Sequence, residues 1–392
     1  MKNRSILHIV SSMDPKLGGV CKAIRDIISG ISLTYPDIIN EVVSLDCPSD
    51  KFVIDDPFKI HALGKGFSPW NYSKSMFKWI FENSGKYDVI ILHGLWSFQS
   101  FALYRSWRKK KVNYYVMPHG MLDPYFQTAP DRKFKAIRNN LIWRLIESKV
   151  VNNANGLLFT CEEERLLSQS SFRRYKPQRE EVVGLGIQMP EVHSASHDLA
   201  FSSIVPLWNK LPHLLYLSRI HPKKGVDLLI EAYIKLESQG GCLPQLIVVG
   251  PGGNNPYGKK LRISAANSKN VIFQDILVGE AKWGAFYNCE AFVLPSHQEN
   301  FGIAVVEALA CRKPVLISDQ VNIWREITDG GGGIAERDTL EGTYNLLKKW
   351  LKMNEEDKMK MALNARRVYE NHFMAETAAK KMLDVFFKKR HR

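Results

Sequence analysis

The chain has 392 residues, of which 45% are hydrophobic, and this length exceeds what one core usually holds, so two domains are predicted. Its six cysteines are scattered without a C-x-x-C pair, which argues against a zinc site or a disulfide framework and favours a reducing cytoplasm. A formal charge of +14 limits the partners to anionic ones, and no zinc-finger spacing, aromatic RNA-binding signature or long basic helix indicates nucleic-acid binding. No apolar run approaches the roughly 18 residues that span a bilayer, so a soluble or peripheral protein is predicted.

The first predicted strand, residues 5–10, leads into a glycine turn and a helix. Gly18 and Gly19 lie in that turn. Because glycine lets a backbone come close to a ligand, the turn is a candidate phosphate-contacting loop. A plain structural turn is the competing interpretation.

Two histidines follow predicted strands directly. His93 comes after the strand at residues 88–92, and His119 comes after the strand at residues 114–117. Residues just past the carboxyl ends of parallel strands line the ligand sites of such sheets. Asp123 follows closely, where it would orient His119 or bind acceptor hydroxyls. A structural role is the competing interpretation for either histidine.

Two basic segments mix aromatic or aliphatic side chains with lysine and arginine, at residues 70–86 and 131–153. The second predicts an amphipathic helix whose apolar residues are Phe134, Ile137, Leu141, Leu145 and Ile146. We expect this apolar stripe to be buried in the first domain, which leaves the basic face as the evidence for an anionic membrane surface. For residues 70–86, a core-packed helix with solvated lysines is the favoured interpretation.

Residues 188–210 lack a sustained period and predict an interdomain linker, so the domains are placed at 1–200 and 201–373. The second domain opens with a strand at 213–217, followed by SRIHPKKG. Arg219 and Lys224 in this loop are suited to offset the charge of two phosphates, Arg as a planar fork and Lys as a point charge.

Residues 291–319 predict a βαβ unit with a ligand loop at the carboxyl end of its first strand. Asn300 is the predicted N-cap, and the free amides at the helix start suit a phosphate; they belong to Phe301, Gly302, Ile303 and Ala304. Glu299 and Glu307 flank this anion site. Neither carboxylate can neutralise a phosphate, so both are predicted to accept hydrogen bonds from hydroxyl groups. Phosphate and polyol together suggest a nucleotide sugar. An ordinary solvated helix position is the competing interpretation of Glu307.

The motifs ENFGIAVVEALA and SRIHPKKG closely resemble the donor site of retaining GT-B glycosyltransferases of family 4. The resemblance implies that Glu299 contacts the donor sugar and Glu307 the ribose. It implies pyrophosphate contacts from Arg219, Lys224, Gly302 and Ile303. It also places His119 near the transferred sugar, and Gly18 and Gly19 where donor and acceptor meet. Two departures are visible, because relatives usually carry glycine at the positions of Asp275 and Arg312.

This resemblance implies an α/β fold of GT-B type, with two doubly wound Rossmann-like domains facing across a cleft and a C-terminal helix, residues 374–392, packed back on the first domain. The implied activity is retaining transfer of a hexose from a nucleotide-diphosphate sugar to a glycan or lipid-linked glycan, in assembly of an O-antigen, capsule or exopolysaccharide. No metal or other cofactor is expected, because side-chain cations can serve the diphosphate. The expected location is cytoplasmic, with peripheral binding to the inner membrane face. Alternatives are an epimerase or sugar phosphorylase of the same fold, or a non-catalytic basic membrane-binding protein.

Overall fold

The computed structural model describes residues 4–128, 133–240 and 243–388, which divide into two compact units. The first unit holds the described residues up to Gln188 and those from Ala375 onward, and the second unit is Met189–Met374. The predicted boundary after residue 200 therefore falls inside the second unit. Cys242 lies outside the described residues.

The first unit is built on a seven-stranded parallel sheet in the order β3-β2-β1-β4-β5-β6-β7. Its strands are β1 (Ser5–Ile9), β2 (Ile39–Ser44), β3 (Lys59–Ala62), β4 (Val89–His93), β5 (Tyr114–Met117), β6 (Gly156–Phe159) and β7 (Glu180–Val182). Its helices, in chain order, are α1 (Gly19–Thr34), α2 (Lys51–Asp55), α3 (Lys74–Asn83), α4 (Phe98–Lys110), α5 (Tyr125–Thr128), α6 (Lys133–Ile142), α7 (Ser148–Asn153) and α8 (Glu162–Ser171). A π-helical turn, Trp143–Glu147, joins α6 to α7.

The second unit repeats the design with a six-stranded parallel sheet in the order β10-β9-β8-β11-β12-β13. Its strands are β8 (His213–Leu217), β9 (Leu246–Val249), β10 (Val271–Gln274), β11 (Cys289–Leu294), β12 (Val315–Ser318) and β13 (Gly333–Glu336). Its helices are α9 (Ala195–Ile204), α10 (Val226–Ser238), α11 (Pro256–Ser264), α12 (Gly279–Asn288), α13 (Ile303–Ala310), α14 (Trp324–Asp329), α15 (Leu340–Lys352) and α16 (Glu355–Val368). The predicted α/β class is confirmed.

Each sheet reverses its strand order once, between β1 and β4 in the first unit and between β8 and β11 in the second. At such a switch point the loops leave in opposite directions and open a crevice at the carboxyl edge of the strands. The central strands are buried on both faces, as β4 and β12 show, so their sequences read as continuous apolar runs.

Helix α9 lies within the stretch that was predicted to be an irregular linker, and that prediction is wrong for residues 195–204. Ser194 and His197 form a capping box in which the Ser194 N–H donates to His197 Nδ1 at 3.1 Å. Histidine takes the place that glutamate or glutamine holds in the usual capping box, which hid the helix start in the sequence. Gly284 of α12 lets α9 approach closely, because a Cβ there would lie 2.2 Å from the His197 carbonyl oxygen.

The apolar stripe of α6 is exposed, which contradicts the expectation that it is buried. Four outward residues of α6 and of the π-helical turn after it are here called the α6 stripe: Phe134, Ile137, Leu141 and Leu145. They keep between 55% and 89% of their surface exposed, whereas Ile146 is partly buried. The helix instead packs through Ala136 and Asn139, on its other side, and through Trp143 just beyond it. Residues 131 and 132 of this predicted segment lie outside the described residues.

The other aromatic segment, residues 70–86, packs on the core of the first unit through Trp70, Phe77 and Trp79. This supports the core-packed interpretation of that segment. Within the described parts of the chain, no helix combines the length and the apolar character needed to cross a bilayer.

The last helix, α17 (Ala375–Phe387), belongs to the first unit and packs on α1. Gly30 of α1 permits the contact, because a Cβ there would lie 2.7 Å from the Ala375 carbonyl oxygen. The ring of Phe386 stands 4.8 Å from that of Tyr115 in β5.

Candidate functional site

Two loops at the carboxyl edge of the second sheet are joined by backbone contacts. The Lys223 carbonyl accepts the His297 N–H at 2.9 Å and the Ser296 hydroxyl at 3.0 Å. Gly225 has a φ of 64° and approaches Pro295 so closely that a Cβ would lie 1.9 Å from the Pro295 carbonyl oxygen. Only glycine tolerates both conditions, so this residue holds the loop after β8 against the loop after β11.

The joined loops bring together two of the predicted donor-site residues. Lys224 and Glu299 form an ion pair, and Lys224 is only 7% exposed. The Glu299 backbone is anchored to the loop after β12, since its N–H donates to the Gln320 carbonyl at 2.9 Å and its carbonyl accepts from Asn322 at 3.0 Å. The carboxylate therefore has a fixed backbone and a charged partner.

Arg219 adds a second positive charge at this edge. Its side chain is exposed, and its guanidinium makes no ion pair within the described chain. The Tyr216 hydroxyl donates to the Arg219 carbonyl at 3.0 Å and steadies the backbone. The pKa of nearby His221 is lowered by partial burial and by the charges of Arg219, Lys223 and Lys224. The edge is thus electropositive and suited to an anion.

Helix α13 starts two residues later than predicted, because its N-cap is Gly302 and not Asn300. Gly302 adopts a left-handed conformation with a φ of 78°, and its carbonyl accepts the Val306 N–H at 3.1 Å. The four amides predicted to contact a phosphate, at residues 301–304, donate to no acceptor among the described residues. They remain available as hydrogen-bond donors at a helix start.

Glu307 is buried, at 3% exposure, which contradicts its interpretation as a solvated helix residue. Its carboxylate pairs with Lys282 Nζ of α12 at 2.7 Å. The Lys282 ammonium also stands 4.6 Å from the centre of the Trp283 ring. Sequence reasoning missed Lys282, because nothing in its spacing connects α12 to α13.

In the first unit, His119 and His93 are hydrogen-bonded to each other, with His119 Nε2 and His93 Nδ1 2.9 Å apart. His93 Nε2 in turn lies 2.9 Å from Nδ1 of His8, a residue of β1 that sequence reasoning missed. Burial lowers the pKa of His8 and of His119 to about 4, and burial with its two histidine neighbours lowers the pKa of His93 well below 6.5. All three imidazoles are therefore neutral at pH 7.

The turn that carries His119 is under strain, since His119 has a φ of 52°. Glu164 of α8, only 3% exposed, holds the turn by accepting the Gly120 N–H at 2.5 Å and the Thr160 hydroxyl at 2.7 Å. The sequence indicated only a charged helix start there. Asp123 accepts the Tyr125 N–H at 2.8 Å. The ring of His119 is hydrogen-bonded to His93.

The glycine turn after β1 has the conformation that glycine requires. Gly18 has a φ of 97°, and a Cβ on Gly18 or Gly19 would meet nothing within 4 Å, so the space beyond both residues is open. Asp46 secures the preceding loop by accepting the Met13 N–H at 2.7 Å and a hydrogen bond from the Ser12 hydroxyl. Among the residues that the structure describes, no group of three or more histidine, cysteine or carboxylate side chains is placed to hold a metal ion.

The match to a known protein family lies in the second unit. Residues 203–368 match the family model "Glycosyl transferases group 1". A D-inositol 3-phosphate glycosyltransferase from Kribbella flavida is 30% identical over 199 residues, which cover 48% of this chain and 46% of that protein. The chain spans less than half the length of the first curated relatives that it matches.

Solved structures match nearly the whole chain. HepE from Anabaena, in a complex with UDP and glucose, superposes with a TM-score of 0.72 at 17% identity, covering 97% of this chain and 98% of that one. WaaG, a glycosyltransferase involved in lipopolysaccharide biosynthesis, gives a TM-score of 0.69 at 17% identity, covering 98% of this chain and 100% of that one. At 17% identity this likeness shows the fold alone, which is the GT-B fold of these structures.

Proposed function

We propose that this chain transfers a sugar from a nucleotide-diphosphate sugar to a glycan or lipid-linked glycan. Its residues 203–368 match the group 1 glycosyl transferase model, and its fold is the GT-B fold of HepE. Transfer proceeds with retention and serves the assembly of a surface polysaccharide. HepE was solved with UDP and glucose, and WaaG is involved in lipopolysaccharide biosynthesis, which supports this choice of donor class and pathway.

The observation that carries the proposal is the ion pair between Lys224 and Glu299 beside the unbonded amides of α13. A donor diphosphate would draw the Lys224 ammonium to itself together with Arg219. The Glu299 carboxylate would then be released to accept hydrogen bonds from the sugar hydroxyls. One substrate thus satisfies both members of the pair.

Departure of the nucleoside diphosphate is the step that these groups assist. Negative charge grows on the diphosphate as the bond to the sugar breaks, and Arg219, Lys224 and the amides at Gly302 and Ile303 would stabilise it. The buried Glu307 would bind the ribose. No metal is required in this scheme, because the side-chain cations supply the positive charge. His119 of the first unit would contact the substrate.

A thermal-shift screen against UDP, GDP, ADP and CMP tests the donor site, with Lys224→Met as the variant and Lys223→Met as its matched control. A ligand at 100 times its Kd stabilises the native state by about 2.7 kcal/mol. We expect one nucleoside diphosphate to stabilise the wild type and Lys223→Met but not Lys224→Met. Equal stabilisation of all three proteins, or of none, contradicts the proposed site.

Incubation with the matching nucleotide sugar then separates the reaction classes. A new glycosidic linkage with the donor's anomeric configuration supports the proposal. Formation of an epimer or a sugar phosphate alone supports the alternative enzymes of the same fold, and a donor site without turnover of any kind supports a binding protein.

We further propose that the first unit docks on an anionic membrane surface through the α6 stripe. The stripe is exposed and apolar, and the exposed basic residues Lys135, Arg138 and Arg144 flank it. An apolar face with basic margins is the arrangement that lies in a bilayer interface, where each basic residue adds about 1 kcal/mol near acidic lipids.

Vesicle co-sedimentation at low salt tests this surface. Leu141→Asp should reduce binding to vesicles that contain phosphatidylglycerol, whereas Leu199→Asp, at a residue of α9 that is 70% exposed, should not. Binding that survives Leu141→Asp, or that is equally strong on neutral vesicles, contradicts the proposal.

A further inference from the structure

Three histidines and one asparagine form a single hydrogen-bonded chain inside the first unit. It runs from His119 through His93 to His8, with 2.9 Å between ring nitrogens at each step. It ends at Asn40 of β2, whose Oδ1 lies 3.3 Å from His8 Nε2. His8, His93 and Asn40 are at most 7% exposed, so the inner part of the chain is closed to water.

The asparagine gives the chain its direction. Asn40 Nδ2 donates to the Ile38 carbonyl at 3.2 Å, so Oδ1 is the atom that faces His8. This oxygen can only accept, and His8 therefore carries its proton on Nε2. A neutral imidazole has one N–H and one acceptor nitrogen, so His8 Nδ1 must accept.

The same rule applies to His93 and then to His119. His8 Nδ1 accepts from His93 Nε2–H, which leaves His93 Nδ1 as an acceptor. His93 Nδ1 accepts in turn from His119 Nε2–H. The proton of His119 is thereby placed on Nε2, and its Nδ1 carries a lone pair and has no hydrogen-bond partner in the described part of the chain.

We propose that Asn40, acting through His8 and His93, fixes the tautomer of His119 in which Nδ1 is an acceptor, and that this nitrogen binds a hydroxyl group of the substrate. The diphosphate of a nucleotide sugar has no proton to donate at neutral pH, so a bare Nδ1 repels it and accepts from a sugar hydroxyl instead. Asn40, His8 and His93 are positioning residues. Because an amide cannot take up a proton, the chain orients His119 and does not carry protons away.

Nitrogen NMR of the full-length protein with ¹⁵N-labelled histidine tests the tautomer at pH 7. Single His→Gln variants assign the signals. We expect His8, His93 and His119 each to show a protonated Nε2 and an unprotonated Nδ1. A protonated Nδ1 on His119 in the wild-type protein overturns the proposal, and among the variants this result needs only His119→Gln, which assigns the signal, to fold.

Asn40→Asp supplies the reversing variant. An aspartate beside His8 favours its doubly protonated form, whose Nδ1–H then donates to His93 Nε2 and turns every hydrogen bond in the chain around. His119 should then carry its proton on Nδ1. The buried His213 of the second unit is the internal control, and its signals should not move. If His8 gains a proton and the His119 signals stay unchanged, the proposal that His8 sets the tautomer of His119 through His93 is refuted.

The hydrogen bond from a substrate hydroxyl to His119 Nδ1 rests on the proposed function, whereas the tautomer of His119 does not. In Asn40→Asp, loss of the acceptor should lower kcat/KM for transfer by about 10- to 100-fold, the usual consequence of losing one buried hydrogen bond. Reversal of the tautomer with unchanged kcat/KM overturns the hydroxyl contact. A wild-type protein that shows the predicted tautomer and no transfer refutes the proposed function but leaves the tautomer standing.

Discussion

Replacing Lys282 with methionine should destabilise the second unit by about 3 kcal/mol, because it leaves the Glu307 carboxylate buried without a cation. The two side chains are 2.7 Å apart, and they differ in exposure, at 3% for Glu307 and 22% for Lys282. Glu307→Gln should therefore cost only about 1 kcal/mol, since the Lys282 ammonium keeps its access to water. The double variant should recover most of the loss seen in Lys282→Met.

Hydrogen exchange of the α12 and α13 amides is the suitable assay, because two units need not unfold in one step. Lys349→Met serves as the matched control, since Lys349 and Glu336 form an ion pair at 2.5 Å whose lysine is 59% exposed. Loss of that surface pair should cost less than about 1 kcal/mol. The reasoning is refuted if Lys282→Met costs no more than Glu307→Gln, or if the double variant is as unstable as Lys282→Met.

Three further outcomes are expected. Gly225→Ala should lower the free energy of unfolding by about 3 kcal/mol or more and weaken nucleotide binding, because its Cβ would collide with the Pro295 carbonyl at a left-handed position; an unchanged Tm contradicts this. Burial raises the pKa of Glu147 to about 8, so the wild-type protein loses stability as pH rises from about 4.5 to 8. Glu147→Gln should therefore be more stable than the wild type by up to about 3 kcal/mol at pH 7. A stability difference that is the same at pH 5 and pH 7.5 speaks against this. Burial lowers the pKa of His8 to about 4, so the stability that neutral His8 contributes is present above pH 6.5 and is lost as pH falls toward 4. The free energy of unfolding should therefore depend less on pH in His8→Gln than in the wild type. Parallel plots of this free energy against pH for the two proteins would rule the effect out.

The alternation of apolar runs, loops and helices was sufficient to predict an α/β fold, because strands buried on both faces leave that pattern. Local spacing also selected Lys224 and Glu299, which the structure places in contact although 75 positions separate them. Their role in donor binding stays a prediction. The N-cap at Asn300 was wrong, because the left-handed Gly302 carries the chain further before α13 begins.

The remaining features depend on contacts between distant parts of the chain. His8 reads as one more residue of a strand, and only the pairing of β1 with β4 shows that it continues the line from His93. Lys282 reads as a surface lysine until α12 is seen beside α13. The α6 stripe was wrongly predicted to be buried. Its apolar pattern is typical of a buried face, but the helix packs through smaller residues on its other side.

The placement of α17 constrains how the protein is made. Its residues complete the first unit, yet they leave the ribosome only after the whole second unit has been synthesised. The second unit is continuous in sequence and can reach its final structure first, while the face of α1 around Gly30 waits for Ala375 and the residues after it. Until then that apolar face is open to water, so the nascent first unit exposes a surface that favours aggregation during synthesis.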